Sequence, residues 1–315
     1  MGFFLGKCLK ENNMDKKLSK SAKGVIFTLL GGICWGFSGT CGQYLFTRKN
    51  IESGWLTMVR MITAGIVLIT FLLIKKEKGM KEIWKNKRDV INLLLFAVFG
   101  LLFSQYTYLT AIFYSNAGTA TVLQYLNPVM IMLLVCMVSK RIPNKIEMIS
   151  VILAVSGTFL IATHGNIHSL SISKEGLFWG LLSAVAAVSY SLLPGRIISK
   201  WGSLLVTGYA MLIGGLFFGI LSGQWKTEVV FDTGTVLGVL AISIIGTAIA
   251  YTLYLQGIQE IGPIKASMLA SIEPVAASLF SFLWLKTPFT SIDIIGFAFI
   301  MTTVFLLSKK PKRKK

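Results

Sequence analysis

The stretch Ala266-Ser-Met-Leu-Ala-Ser-Ile-Glu-Pro-Val-Ala-Ala-Ser-Leu-Phe-Ser-Phe-Leu-Trp284 is apolar and long enough to cross a bilayer, yet it has a carboxylate near its middle. An acid at the centre of a spanning helix costs about 2.5–3.5 kcal/mol on insertion scales. By our assignment of spans, Glu273 is the one acidic residue of 13 that lies deep inside a span. Pro274 follows it and removes the backbone hydrogen bond to the Ala270 carbonyl, which kinks or breaks the helix. The combination predicts a functional carboxylate in a broken helix.

The composition of the whole chain is that of a membrane protein. Of its 315 residues 54% are hydrophobic and 14% charged, against about 25% charged in an ordinary soluble domain. The net charge of +18 would suggest nucleic-acid binding in a soluble protein. Here the basic residues lie in tails and loops between apolar runs, so we expect a lipid bilayer as the partner and no nucleic acid.

Hydropathy predicts an all-α polytopic membrane protein with ten spans. They are residues 24–46, 55–74, 90–113, 117–138, 145–163, 176–196, 203–222, 234–257, 264–285 and 291–307. We expect a loosely ordered basic tail at 1–23, a connecting outer loop at 164–175 and a second basic tail at 308–315. Whether Met1 or Met14 is the true start is left open.

The distribution of basic residues predicts the orientation. With the N-terminus inside, the inner segments hold 24 of the 31 lysines and arginines and the outer segments hold five. Inner loops and tails are enriched in Lys and Arg, so both termini are expected in the cytoplasm, which requires an even number of spans. We expect a plasma (inner) membrane location.

An internal repeat relates the two halves, residues 24–163 and 176–307. At an offset of 146 residues, Tyr108 aligns with Tyr254, and Asn127-Pro128-Val129 aligns with Glu273-Pro274-Val275. Chance similarity between apolar sequences is the alternative to a duplication. Because each half has five helices, the second copy must enter the membrane from the opposite side. Inverted repeats with broken helices are the architecture of many secondary transporters.

The chain resembles the drug/metabolite transporter superfamily in its ten-helix EamA-type branch. The residues that carry the resemblance are Trp35-Gly36-Phe37, Arg60, Asn127-Pro128 and Glu273-Pro274-Val275. The resemblance implies two five-helix EamA repeats around a central cavity, spans five and ten set aside from the transport path, and export of an amino acid or related metabolite. One departure is Ser189-Tyr190 in the sixth span, where a second Trp would be sought.

Both broken helices contribute candidate site residues. We expect Glu273 to bind substrate or couple transport to protons; the alternative is a structural role in satisfying freed backbone amides. Asn127 and Gln124, three residues apart on one helix face, are expected on the opposite wall of the cavity, or else hydrogen-bonded to neighbouring helices. The helix breaks are predicted at Pro128 and Pro274.

Other spans contribute one more charge and several aromatic side chains. Arg60 has three open interpretations: it snorkels to the outer interface, pairs with Glu273, or meets an anionic group of a substrate. Aromatic and amide groups that favour an organic solute over a bare ion are Trp35, Gln105, Tyr106, Tyr190 and Tyr251. Each of these taken singly could instead be packing or an interfacial anchor.

The sequence disfavours an enzyme. It has no P-loop motif and no catalytic set of Ser, His and Asp within its spans, so no catalytic residue and no cofactor are expected. His164 and His168 have no Cys or acidic residue beside them to complete a metal site, so no metal is expected. We therefore predict a secondary transporter of a small molecule working by alternating access. The alternative is a membrane receptor or scaffold without transport; a homodimer stays open.

Overall fold

The computed structural model describes the backbone of residues 2–164, 166, 171–261, 266 and 269–308, with side chains from residue 22 to residue 307 within these ranges. In this part of the chain the regular structure is all helical, with eight helices long and apolar enough to cross a bilayer and two shorter apolar ones. In order, the ten are Ala22–Lys49, Ser53–Ile74, Lys87–Tyr114, Ala117–Val138, Lys145–Thr163, Lys174–Leu192, Ser203–Ser222, Thr233–Ile261, Glu273–Leu285 and Ser291–Leu307. They confirm the predicted ten-helix fold. We call them the first to tenth spans.

Several helix boundaries differ from those predicted. The first helix begins at Gly2, ahead of the span predicted from residue 24, and the expectation of a loosely ordered tail at 1–23 stays a prediction. Its many Lys residues favour a helix that continues the first span. The sixth span ends at Leu192 instead of residue 196, because Pro194 interrupts it; a separate short helix, Gly195–Trp201, follows. The predicted hairpin at 258–263 and the start of the ninth span lie partly outside the described residues, as does the tail at 308–315.

Polar side chains cap the helix starts where the sequence places them. Five spans begin with an Asn, Ser or Asp whose side chain accepts a backbone N–H of the first turn: Asn86, Asn116, Asn144, Ser173 and Asp232. Each cap satisfies a donor that has no partner within the helix. These caps fix the residue at which each helix begins, which hydropathy alone does not define.

The spans pair in a pattern that the two halves share. The second span packs on the seventh, the fourth on the ninth and the fifth on the tenth, each a pair of equivalent spans of the two predicted repeats. The first span packs on the eighth, and the third packs on the sixth. Since the first and sixth spans are equivalent, and so are the third and eighth, each half makes the same contact with the other half. A two-fold relation between the halves requires this pattern of pairs, as in inverted-repeat membrane proteins.

Glycines bring the paired spans into close contact. A methyl group at Gly65 of the second span would lie 2.6 Å from the backbone nitrogen of Leu212 in the seventh. One at Gly215 would lie 3.0 Å from the backbone nitrogen of Ile62. Small residues at helix contacts in membranes allow such a close approach of two backbones.

A second irregularity repeats at the same offset as the broken helices. Residues Phe96–Leu102 of the third span and Ala241–Ile249 of the eighth are π-helical, with wider turns than the α-helix around them. Gly100 and Gly246, which are equivalent in the two halves, lie inside these segments. Single π-helical turns often occur near functional sites. Nothing in the hydropathy pattern predicted them.

An ion pair joins two spans at the end of the bundle where the first span finishes. Lys49 contacts the carboxylate of Asp232, which also accepts the backbone N–H of Thr235 at 2.7 Å. The Lys49 ammonium, with the Thr235 contacts, lowers the pKa of Asp232 from its ordinary 3.8 to about 2. Since the folded value lies below the unfolded one, the stabilisation exists above roughly pH 4 and is lost as the pH falls toward 2.

We expect Asp232→Asn to lower the melting temperature of the detergent-purified protein slightly, and equally at pH 7 and pH 5. Asn keeps the helix cap, so only the ion pair is lost, and Asp232 is ionised at both pH values. Thermal unfolding at the two pH values measures it. Glu228→Gln, which removes a charge from the same loop, is the control. A penalty that shrinks at pH 5 would show that Asp232 already binds protons there.

Candidate functional site

Two broken helices define the centre of the molecule. In the fourth span, Ala117–Gln124 ends in a turn and the helix resumes at Asn127, with Pro128 in its first turn. In the ninth, the helix resumes at Glu273, with Pro274 in the equivalent place. Proline is tolerated there because the first helical N–H groups have no partner within the helix. The two halves thus restart their helices at matching positions.

A cavity of about 280 Å³ lies between the two breaks. Its lining residues come from eight spans: Trp35, Arg60, Ser104, Gln105, Tyr108, Gln124, Tyr125, Asn127, Pro128, Ala187, Tyr190, Ser191, Tyr251, Tyr254, Ala270, Ser271, Glu273 and Val304. The tenth span contributes Val304, although the resemblance implied that it would be set aside from the path. Polar groups converging on a partly aromatic wall are typical of a small-molecule site.

Most of the predicted site residues lie on this cavity. Eight of the nine side chains line it: Glu273, Asn127, Gln124, Trp35, Gln105, Tyr190, Tyr251 and Arg60. Tyr106 does not, since its ring packs against Trp179 and Phe218 with ring-centre distances of 5.5 and 5.1 Å. Tyr106 follows Gln105 directly, so it points about 100° away around the helix. Pro128 lines the cavity, and Pro274 is buried beside it.

Tyr125, which the sequence analysis missed, connects the two breaks. Its hydroxyl lies 3.1 Å from Oε2 of Glu273 and 3.2 Å from the carbonyl oxygen of Ala270. That carbonyl is the one that Pro274 leaves without its helical partner. Tyr125 is in the turn of the fourth span, and Glu273 and Ala270 flank the turn of the ninth. One hydroxyl therefore links the repeats at the position of the buried acid.

An aromatic cluster forms the wall toward the first and eighth spans. The Trp35 ring contacts those of Tyr251 and Tyr254, with centres 5.4 and 5.0 Å apart. The hydroxyls of Tyr190 and Tyr251 are 3.2 Å apart, so one donates to the other. Ser189 donates instead to the Phe99 carbonyl at 2.6 Å and does not line the cavity. The wall offers apolar faces with a few polar tips.

Arg60 is buried in the cavity wall, with 6% of its surface exposed. The snorkelling interpretation is therefore wrong, because a snorkelling guanidinium would be exposed at the bundle end. Among the described residues, no acid lies within 4.0 Å of it, so it forms no ion pair with Glu273. Its Nε and Nη1 atoms are buried without a hydrogen-bond partner in the described part of the chain. In the described part of the chain Arg60 thus neither snorkels nor pairs directly with Glu273, and its contact with an anionic group of a substrate stays a prediction.

The cavity is closed at the end of the bundle where Lys49 lies. Gln43, 5% exposed, donates to Oγ1 of Thr287 at 2.8 Å and accepts the backbone N–H of Ala117 at 2.9 Å and the hydroxyl of Ser281 at 3.0 Å. It thereby ties the first, fourth and ninth spans together above the cavity. Toward the other end the lining includes Ser191, which is exposed near the end of the sixth span.

No group of three or more potential metal ligands occurs in the part of the chain that the structure describes. His164 lies at the end of the fifth span, where its Nε2 is 2.8 Å from the Oδ1 of Asp293 on the tenth. His168 is outside the described residues. This pair joins the fifth and tenth spans at the bundle end, and neither residue lines the central cavity.

We expect Tyr125→Phe to reduce flux through the protein strongly while leaving it folded. The change removes only the hydroxyl that bridges Glu273 and the freed Ala270 carbonyl, and a carbonyl left unpaired in a buried site is unfavourable. Flux into liposomes containing each purified variant measures it. Tyr106→Phe, one hydroxyl removed outside the cavity, is the matched control. Equal flux in Tyr125→Phe and wild type would show that the bridge has no role.

Comparison with known proteins yields a family match over both halves. The model of the EamA-like transporter family matches residues 22–163 and again 174–309. The chain is 38% identical over 297 residues to the uncharacterized inner membrane transporter YicL of Salmonella typhimurium, covering 94% of this chain and 99% of that protein. It is 26% identical to Protein PecM of Dickeya dadantii over 272 residues, covering 82% of this chain and 84% of PecM.

A solved crystal structure has the same fold at low sequence identity. The two superpose with a TM-score of 0.61 at 15% identity, covering 90% of this chain and 96% of the other. At that identity the likeness concerns the fold alone. The double family match and the relatives named as transporters indicate a membrane transporter rather than an enzyme. The chain belongs to the EamA-like transporter family.

Proposed function

We propose that this protein is a secondary transporter that exports a small organic metabolite by alternating access, in exchange for protons taken up and released by Glu273. An amino acid or a related compound is the substrate class that the family resemblance favours. The observation that carries the proposal is the cavity between two broken helices, with a carboxylate at one break and an amide at the other. Substrate and ion sites of inverted-repeat transporters lie at such breaks.

The closed end of the cavity supports alternating access. Gln43 holds three spans together on one side of the cavity, through hydrogen bonds to Thr287, Ala117 and Ser281. In the proposed cycle, the first repeat (24–163) rocks against the second (176–307), with the loop at 164–175 connecting them. Breaking the Gln43 contacts would then open the cavity at the Lys49 end. A homodimer is compatible with this cycle and is not required by it.

We further propose that the protein lies in the inner membrane with both termini in the cytoplasm. The 24-to-five distribution of basic residues supports this orientation, and the relative YicL is named an inner membrane transporter. In this orientation the closed end of the cavity faces outward. Fusing a reporter that is active only in the cytoplasm to the C-terminus tests the orientation.

The transport proposal is tested in two steps. Metabolites retained by cells that lack the protein, compared with cells that express it, identify candidate substrates. Flux of each candidate into liposomes containing the purified protein, with and without a pH gradient, then measures transport and coupling. Binding without flux would favour the receptor alternative and contradict transport. Flux that ignores the pH gradient would contradict proton exchange only.

A further inference from the structure

Two opposite charges line the cavity without neutralising each other. Arg60 and Glu273 both line it, yet no ion pair joins them among the described residues. A guanidinium remains charged in proteins and is expensive to bury unless it is paired. If Arg60 had only a packing role, a direct ion pair with Glu273 would be the arrangement of lowest free energy. Their separation instead leaves two charged groups facing one shared space.

On both sides of the cavity, some hydrogen-bonding groups of the described residues have no partner. In the described part of the chain, Nε and Nη1 of Arg60 are buried donors without a partner, and Oε1 of Gln105 is a buried acceptor without one. The Glu273 carboxylate accepts from Tyr125 through one oxygen, and a carboxylate has room for several more donors. Buried polar groups are almost always paired in native structures. These groups therefore call for a ligand with both acceptors and donors.

We propose that Arg60 is the carboxylate-binding subsite of this cavity and that Glu273, with Gln105, binds the amine of the same ligand. The ligand class is a small zwitterion with an acidic and an amino group on one skeleton. The proposal rests on the transport function proposed above and deepens it by assigning the two ends of the substrate. A guanidinium suits a carboxylate because two parallel N–H groups match its two oxygens.

The aromatic wall is consistent with the same ligand. Trp35, Tyr251 and Tyr254 present ring faces and edges beside the two charges, where the apolar part of a small zwitterion would lie. Such a cavity discriminates through its polar groups, because an analogue that lacks one charged end leaves a buried charge unpaired. Loss of either end of the ligand is therefore expected to weaken binding sharply.

The test compares three forms of each of three skeletons. Leucine, phenylalanine and threonine are each used as the free amino acid, as the amide that lacks the acid, and as the N-acetyl derivative that lacks the amine. Binding to the full-length purified protein is measured from the ligand-induced rise in melting temperature. We expect at least one amino acid to bind roughly tenfold to a hundredfold more tightly than both of its analogues, the usual effect of losing a charged hydrogen bond.

Variants assign each preference to its residue. Arg60→Gln should abolish the preference for the amino acid over its amide and keep the preference over the N-acetyl form. Glu273→Gln should abolish the preference over the N-acetyl form and keep the preference over the amide. Arg60→Lys keeps the charge and should retain part of the preference. Arg48→Gln, which changes an exposed arginine at the end of the first span, is the matched control and should change neither. Circular dichroism and size-exclusion chromatography establish that each variant is folded.

Several results would overturn the proposal, and they separate it from the transport proposal. Wild-type protein that binds amide and amino acid equally, that binds none of the nine compounds, or that responds only to inorganic phosphate or chloride contradicts the zwitterion site. Flux of these compounds into liposomes is measured in parallel. The predicted preferences without flux would sustain the subsites and contradict transport. Flux with no preference for the amino acid would sustain transport and contradict the subsites.

Discussion

Replacing Glu273 with Gln is expected to reduce pH-gradient-driven flux to the level of empty liposomes, while exchange of substrate across the membrane continues at saturating substrate despite the weaker binding of the amine. Gln has the same shape as Glu and still accepts a hydrogen bond from Tyr125, whose hydroxyl lies 3.1 Å from the carboxylate. It cannot take up or release a proton. The variant therefore removes the coupling and keeps most of the geometry of the break.

The measurement uses one preparation of liposomes under two conditions. An imposed pH gradient drives net uptake, and counterflow at equal pH reports exchange without net proton movement. Glu260→Gln, which removes a negative charge from the exposed end of the eighth span, should behave as the wild type in both. Unchanged gradient-driven uptake by Glu273→Gln would refute proton coupling. Loss of both activities, even at saturating substrate, would leave Glu273 with a binding or structural role and contradict a separate role in coupling.

Substituting Gly36 with Ala is expected to destabilise the protein by about 1–3 kcal/mol, the usual range for overpacking, and to abolish flux. The new methyl group would lie 2.7 Å from the backbone nitrogen of Ala277 and 2.8 Å from the carbonyl oxygen of Glu273. Backbone atoms cannot move aside as a flexible side chain can. The first span would therefore be pushed away from the ninth beside the helix break.

The control for Gly36 is the same substitution where there is space. A methyl group at Gly195, in the short helix after the sixth span, would meet no atom within 4 Å. Gly195→Ala should be neutral or slightly stabilising, because Ala is the better helix former. Thermal unfolding in detergent and flux in liposomes are measured for both variants. A Gly36→Ala protein as stable as the wild type would show that the two spans can separate without penalty.

The fold was predictable because its signals are local. A span is recognised from about twenty consecutive apolar residues, and a break from a proline that removes one backbone hydrogen bond. The match between Asn127-Pro128 and Glu273-Pro274 then located both breaks along the chain, and the helices do restart at these two positions. The end of the sixth span was mispredicted, since a single proline is a weaker signal than hydropathy.

The candidate site was predictable only in part. Polar or aromatic residues within spans were expected to face a cavity, and most do, but Tyr106 packs against Trp179 and Phe218 instead. Hydropathy does not reveal which face of a helix points inward when every face is apolar. Tyr125 was missed for a related reason, because a tyrosine in a turn has no sequence feature that identifies its partner in another repeat.

The sequence by itself determined that this chain spans a membrane ten times, that its halves are related, and that one of two equivalent broken helices has a carboxylate. These properties depend on hydropathy, chain register and residue type, which are read along the chain. Only the tertiary structure decided what meets Glu273 and Arg60. The Tyr125 hydroxyl is 148 residues from Glu273 along the chain, and the separation of Arg60 from Glu273 across the cavity depends on how the spans around it pack. Distances between side chains on different helices are set by packing, and a linear sequence does not specify them.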